Sequence, residues 1–170
     1  MILLYVDDLL ITRIEERIQE CKKLLATEFD MKDLGLMHYY LGLDVWKEPN
    51  EIYLGKGKYV IELLKKFDMM KCKPMVTLMI TNLKMLRNFE SGPVNPTKYR
   101  QLVGSLMYLV NTQLDICFVV NILNQFQIKP RHGHWIAAKH ILRYLQGTIH
   151  YCLKYAKGRS INLEGFTDSD

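Results

Sequence analysis

Two short apolar runs enclose a pair of adjacent carboxylates in the opening stretch Ile2-Leu3-Leu4-Tyr5-Val6-Asp7-Asp8-Leu9-Leu10-Ile11. Apolar runs this short predict buried strands rather than helices. The stretch therefore predicts a strand-turn-strand unit with Asp7 and Asp8 at the turn. Two neighbouring carboxylates repel each other, and a divalent cation such as Mg²⁺ would remove that repulsion. An exposed β-turn is the alternative, because Asp is a favoured turn residue.

The rest of the chain alternates between helical and strand patterns, which predicts the α+β fold class. Apolar residues recur at helical spacing over residues 14–29, 58–69 and 99–145, the last as three separate helices. Alternation over residues 39–45, the turn 47–50 and the apolar residues 52–54 predict a hairpin. Prolines and glycine mark residues 71–96 as an extended connector, and alternation from Tyr151 predicts strands again at the C-terminus.

Composition and charge narrow the class of protein further. The chain has 170 residues, of which 49% are hydrophobic and 24% charged, a globular composition that excludes a disordered tail. No apolar run reaches the roughly 20 residues of a membrane span. Residues 1–55 carry a net charge of −5 and residues 56–100 a net charge of +7, which suits a metal site beside a phosphate-binding region. Solvated helix faces are the alternative.

The four cysteines are scattered and form no C-x-x-C pair. Their pattern predicts reduced, mostly buried thiols in an intracellular protein of the cytoplasm or nucleus, with an organellar copy left open. Two disulfides are the alternative. His132-Gly133-His134 has a spacing that could bind metal, but no third ligand is evident nearby, so a metal site is not predicted there and a packing role is the alternative.

The string Tyr5-Val6-Asp7-Asp8 between apolar strands resembles the Y-x-D-D hairpin of reverse transcriptases. Further motifs follow it in order along the chain: Phe29-Asp30-Met31-Lys32-Asp33-Leu34-Gly35, Tyr39-Tyr40-Leu41-Gly42-Leu43-Asp44-Val45, Cys72-Lys73-Pro74, Tyr99-Arg100-Gln101-Leu102-Val103-Gly104-Ser105-Leu106-Met107-Tyr108-Leu109, and Ala137-Ala138-Lys139-His140-Ile141-Leu142-Arg143-Tyr144-Leu145-Gln146-Gly147-Thr148. With this ordered set, the chain resembles the Pol polyprotein of copia-type LTR retrotransposons over essentially its whole length.

The resemblance implies four segments. Residues 1–55 would be the C-terminal part of the palm, with the Y-x-D-D hairpin and a primer-gripping hairpin. Residues 56–96 would form the thumb and a linker, and residues 97–150 a helical connection region. Residues 151–170 would be the first strands of a truncated ribonuclease H domain.

The chemistry implied by the resemblance is two-metal nucleotidyl transfer with two Mg²⁺ ions on an RNA template and a DNA primer. Asp7 and Asp8 would be the catalytic, metal-binding carboxylates of the hairpin. The implied nucleic-acid-binding residues are Tyr5, Tyr40, Leu41, Gly42, Lys56, Lys58, Lys65 and Lys66. For Gly42 the alternative is a glycine required by strand packing, and for the lysines it is a solvated helix face.

The resemblance also implies that parts of both metal sites lie outside the chain. The family's other catalytic Asp belongs to a palm strand that would precede Met1, so the chain is expected to be inactive alone and to need the N-terminal part of the polyprotein as a partner. Phe166-Thr167-Asp168 matches the first strand of ribonuclease H, where Asp168 would be a metal ligand without the rest of its site. The alternative function is a non-catalytic nucleic-acid-binding remnant, or an inert pseudogene product.

Overall fold

A computed structural model describes residues 1–79 and 92–158. Helices and antiparallel strands are mixed along this part of the chain, which agrees with the α+β prediction. The chain divides into two compact units, Met1–Met37 and His38–Asp170. In chain order the elements are β1 (Ile2–Tyr5), β2 (Asp8–Ile11), α1 (Glu15–Glu28), β3 (Tyr39–Tyr40), β4 (Leu43–Glu48), β5 (Glu51–Gly55), α2 (Gly57–Lys66), α3 (Pro96–Leu109), α4 (Cys117–Asn124), α5 (His132–Gly147) and β6 (Leu153–Ala156).

The first unit consists of a two-stranded hairpin followed by one helix. β1 and β2 pair antiparallel with Ile2 opposite Ile11 and Tyr5 opposite Asp8, so the predicted strand-turn-strand unit is confirmed. Its expected burial is wrong, because every residue of β1 is exposed and none of β2 is buried. The helix α1 likewise contains no buried residue. This unit therefore has a regular backbone without a core of its own.

The second unit contains a four-stranded antiparallel sheet in the order β3-β4-β5-β6. β4 and β5 form the predicted hairpin around Pro49 and Asn50. The alternating residues 39–45 do not form one strand, however. The chain turns sharply at Leu41 and Gly42, both at positive φ, and folds β3 back onto β4. Alternation alone does not reveal this turn, because a two-residue turn does not interrupt a period of two.

β6 forms the other edge of this sheet. It pairs antiparallel with β5 from Leu54 opposite Leu153 to Glu51 opposite Ala156. The predicted C-terminal strand is thus present, and it lies beside the hairpin of residues 43–55. The four segments implied by the family resemblance remain predictions.

Four helices of the second unit enclose an apolar core. The core contains Tyr99 and aliphatic residues of α2, α3, α4 and α5, together with Ile116 of a short 3-10 helix, Leu114–Ile116. The apolar residues predicted for α3 are all buried: Tyr99, Leu102, Val103, Leu106 and Leu109. α3 also begins as its sequence suggests, with Pro96 in its first turn and the Asn95 side chain accepting hydrogen bonds from the Thr97 and Lys98 amides.

The state of the cysteines tests the expectation of reduced, mostly buried thiols. All four cysteines are free thiols, but three are half-buried and Cys152 is exposed, so the expected burial is wrong.

His134 is a buried residue of α5 that stacks on Phe126, with ring centroids 4.0 Å apart, which confirms its packing role. Within residues 1–79 and 92–158, no helix is long and apolar enough to cross a membrane.

Candidate metal and nucleic-acid sites

The two adjacent carboxylates lie at the tip of the first hairpin. Asp7 is in the turn and Asp8 is the first residue of β2, where it faces Tyr5 across the strand pair. Val6 takes a left-handed conformation, with φ of 54°, to close this turn. Both carboxylates and the Tyr5 ring are exposed. The structure therefore brings Tyr5, Asp7 and Asp8 together at one tip. There, contact with water weakens the mutual repulsion of the two carboxylates, which burial would strengthen.

The two carboxylates at this tip suit one Mg²⁺ ion but are too few to hold two ions. Carboxylate oxygens are the ligands that Mg²⁺ prefers, and one or two carboxylates commonly anchor it together with water or substrate phosphates. Among residues 1–79 and 92–158, however, no group of three or more His, Cys, Asp or Glu side chains is placed to hold a metal ion. The described residues do not form a two-ion site by themselves.

The turn between β3 and β4 places Tyr40, Leu41 and Gly42 at one end of the sheet. Leu41 has φ of 48° and Gly42 φ of 79°, and the Tyr108 hydroxyl donates a hydrogen bond to the Leu41 carbonyl at 2.9 Å. A Cβ atom on Gly42 would lie 1.9 Å from the Tyr108 hydroxyl oxygen. Gly42 is therefore required by a tight turn and by the close approach of Tyr108, a packing requirement that lies at a turn rather than within a strand.

Tyr108 is the centre of a small aromatic cluster behind this turn. The Tyr59 ring meets it edge-on with centroids 4.8 Å apart, and the Lys56 ammonium lies 3.6 Å from its ring centroid. Burial raises the pKa of Tyr108, and Tyr39 and Tyr59 raise it further. Both effects act in the direction that keeps the phenol protonated and able to donate its hydrogen bond to Leu41.

The four candidate lysines occupy different environments. Lys56 is only 4% exposed, and its ammonium donates to the Tyr108 carbonyl, so it is engaged inside the fold rather than presented on a surface. Lys65 and Lys66 are exposed in the last turn of α2, where cations interact favourably with the helix dipole. A solvated helix face remains an alternative for these two residues.

Lys58 is held in place by the carboxylate of Asp44, a residue to which the sequence analysis assigned no role. Asp44 of β4 is 2% exposed and accepts the Lys58 backbone N–H at 3.1 Å, which caps the start of α2. Its other oxygen lies 3.4 Å from the Lys58 ammonium, whose side chain is 67% exposed. The same ammonium lies 5.1 Å from the Tyr39 ring centroid. Lys58 and Tyr39 thus present a cation and an aromatic face together.

Asp44 and Tyr108 are the site residues that sequence reasoning missed. Both lie in motifs that carried the family resemblance, but neither motif shows which partner its residue meets. Tyr108 reaches Leu41 across 67 residues of sequence. A buried acid within the apolar run Leu43-Asp44-Val45 was the available signal for Asp44, because a buried carboxylate requires hydrogen-bond donors. Asp168 lies outside the described residues.

The part of the chain that contains the hairpin of residues 2–11 and the turn at residues 41–42 matches a known protein family. A family model described as reverse transcriptase (RNA-dependent DNA polymerase) matches residues 1–81. The chain is 35% identical over 169 residues to the retrovirus-related Pol polyprotein from transposon RE2 of Arabidopsis thaliana, covering 99% of this chain and 12% of that protein. It is 37% identical over 180 residues to the Pol polyprotein from transposon TNT 1-94 of Nicotiana tabacum, covering 100% of this chain and 14% of that protein.

A shorter relative is covered more fully. The chain is 36% identical over 170 residues to an uncharacterized mitochondrial protein of Arabidopsis thaliana, covering 99% of this chain and 70% of that protein. No solved structure matches the chain. The chain therefore belongs to the reverse transcriptase family, and within it to the Pol polyproteins of copia-type retrotransposons. It spans about 12% of the transposon RE2 polyprotein.

Proposed function

We propose that this chain is the C-terminal part of a reverse transcriptase palm with its thumb and connection region, and that it does not polymerise DNA by itself. The observation that supports this proposal is the exposed pair Asp7 and Asp8 at a hairpin tip, in a chain that belongs to the reverse transcriptase family. In this role the two carboxylates would hold Mg²⁺ that activates the primer 3′-hydroxyl. The hairpin supplies only part of the ligand set, so the isolated chain is expected to lack activity.

Primer extension tests the catalytic part of this proposal. The 170-residue chain is incubated with an RNA template, a labelled DNA primer, deoxynucleotides and Mg²⁺, and the products are separated by length. We expect no extension above the level of the Asp7→Asn variant. Extension by the unmodified chain that disappears in Asp7→Asn, with folding unchanged by circular dichroism, would show a complete site and overturn the proposal of inactivity.

Nucleic-acid binding without catalysis is the second candidate function. Exposed cations at Lys58, Lys65 and Lys66, with the Tyr39 ring beside Lys58, would contact backbone phosphates without reading sequence. Tyr40, Leu41 and Gly42 would lie against the primer strand. Tyr5, at the tip of the hairpin of the first unit, is a separate candidate for contact with the primer and nucleotide.

Fluorescence anisotropy with a labelled primer–template duplex tests this binding. Binding carried by phosphates must weaken steeply as salt increases. Reversing two cations in Lys65→Glu/Lys66→Glu is expected to weaken binding by about tenfold or more, because two phosphate contacts are lost and replaced by repulsion. Lys129→Glu/Lys157→Glu, which reverses two exposed cations outside α2, is the matched control and should change binding little. Salt-independent binding, or equal loss in the control, would contradict this function.

A further inference from the structure

A small cavity lies against the sheet of the second unit, beside the end of α3. Its volume is about 240 Å³. Leucines 43, 54 and 153 come from three neighbouring strands and line it together with Tyr155. Leu41 and Tyr108 also line it, and the polar side chains Lys56, Asn111 and Thr112 complete the lining. The cavity thus combines an apolar sheet surface with a small number of polar groups, as ligand sites in proteins commonly do.

The Lys56 ammonium is the unusual member of this lining. It is a nearly fully buried cation whose hydrogen bond goes to the neutral carbonyl of Tyr108, and it lies over the Tyr108 ring. Within the part of the chain that the structure describes, no carboxylate forms an ion pair with it, whereas Lys22, Lys58 and Lys154 each have one. Removing a charge from water without a counter-ion is costly. Burial accordingly lowers the pKa of Lys56.

An anion that enters the cavity would supply a counter-ion. An ammonium has three N–H donors, so Lys56 retains donors beyond the one engaged by Tyr108. Asn111 adds an amide that can donate at the same cavity. One cation flanked by neutral polar groups balances one negative charge, which favours a carboxylate over a phosphate dianion. The leucines require the remainder of the ligand to be apolar.

We propose that this cavity binds a small apolar carboxylate, with its carboxylate group on the Lys56 ammonium and its apolar body against the leucines of β4, β5 and β6. Nucleic acid is the less suitable occupant, because the polar sugars that flank a backbone phosphate would lie against leucine side chains that cannot hydrogen-bond them. The cavity shares Leu41 with the proposed primer contact, but binding of the carboxylate does not depend on the proposed polymerase function.

A pair of probes that differ only in charge tests the proposal. The 170-residue chain is titrated with indole-3-acetate and, separately, with indole-3-acetamide, which keeps the ring and loses the charge. We expect saturable binding of the acetate and binding of the amide weaker by about tenfold or more, since a charge-assisted hydrogen bond is lost. Equal affinity for the two probes, or no saturable binding of the acetate, overturns the proposal.

Variants then locate the binding. Lys56→Met is expected to reduce acetate affinity to the level of the amide, while Lys129→Met, which removes an exposed cation outside the cavity lining, should leave it unchanged. Leu153→Phe retains the ammonium but narrows the cavity, so it should weaken both probes. Undiminished acetate binding in Lys56→Met overturns the proposal.

A readout on the unmodified chain keeps the test valid if Lys56→Met does not fold. In nuclear magnetic resonance spectra, the acetate should shift the amide signals of Thr112 and Leu153, and the amide probe should do so only at about tenfold higher concentration. Shifts confined to residues elsewhere in the chain would overturn the proposal.

Discussion

The helices α1 and α3 have the same length, 14 residues, and opposite degrees of burial. Both have apolar residues at helical spacing, and that spacing predicts both. α1 buries none of its residues, whereas α3 buries five. α3 packs against α4 and α5 within its unit, while the unit of α1 contains only a two-stranded hairpin besides the helix. The comparison shows that periodicity predicts where a helix forms, and that burial depends on which other elements are present.

The starts of the same two helices differ in a related way. Asn95 caps α3 with its side chain, but Ile14 precedes α1 and offers no side-chain hydrogen bond. An apolar residue at this position satisfies none of the free amides of the first turn. α3 therefore has local and tertiary stabilisation, and α1 has less of both.

The largest expected effect comes from truncating one leucine in each helix. Leu106 in α3 is 0% exposed and Leu24 in α1 is 65% exposed. We expect Leu106→Ala to lower the free energy of unfolding by about 3 kcal/mol, because it leaves a cavity in a packed core. Leu24→Ala should change it by less than about 0.5 kcal/mol. Urea denaturation followed by circular dichroism measures both, and similar losses would mean that α1 is buried in solution.

Two glycines with nearly equal φ separate backbone strain from steric contact. Gly42 has φ of 79° and meets Tyr108, whereas Gly35 has φ of 77° and no atom within 4 Å of the place that a Cβ would take. Gly35→Ala should cost about 1 kcal/mol, from the left-handed conformation alone. Gly42→Ala should cost roughly 2–3 kcal/mol because Tyr108 must also move. Urea denaturation of both variants measures the difference, and equal losses would contradict a steric contribution at Gly42.

The double variant Gly42→Ala/Tyr108→Phe sharpens this second prediction. Removing the hydroxyl that lies 1.9 Å from the added Cβ should recover part of the cost, so the two changes should not be additive. Strict additivity in denaturation measurements would show that Tyr108 does not restrict position 42.

The cap of α3 gives a smaller expected effect. Asn95→Ala removes the acceptor for the Thr97 and Lys98 amides, at 2.9 and 3.2 Å, and should cost about 1 kcal/mol. Asn95→Ser is the matched control and should cost only about a few tenths of that, because the serine hydroxyl can still accept a hydrogen bond from these amides. Equal losses for the two variants in thermal denaturation would contradict a role for the side chain.

The smallest expected effect is a pH dependence at Lys56. Burial lowers the pKa of its ammonium below the ordinary 10.5, so the unfolded chain binds more protons than the folded chain between the lowered pKa and 10.5. The stability of unmodified chain relative to Lys56→Met must therefore rise as the pH increases through that window. Denaturation of both proteins at about pH 7 and about pH 10 measures the difference, and a relative fall at the higher pH would contradict the burial of a charged Lys56.

Local patterns were enough to predict most of the elements. The first hairpin, the hairpin of residues 43–55, the helices of the second unit and the C-terminal strand all follow from apolar periodicity and turn residues. The turn at Leu41 and Gly42 could not be found in this way, because its two residues preserve the alternation of the flanking strands. The burial of the first hairpin was wrongly predicted, because an apolar run does not reveal whether a covering element exists.

The sequence by itself determined the family of this protein, the class of its fold and the position of the two carboxylates at a turn, because motif order and short-range periodicity are properties of the chain. Only the tertiary structure decided that Asp44 caps α2, that Tyr108 holds the turn at Leu41, and that Lys56 is enclosed with a neutral carbonyl as its hydrogen-bond partner. Each of these depends on contacts between residues 14 to 67 positions apart. Such contacts are set by how the elements pack, which no local pattern contains.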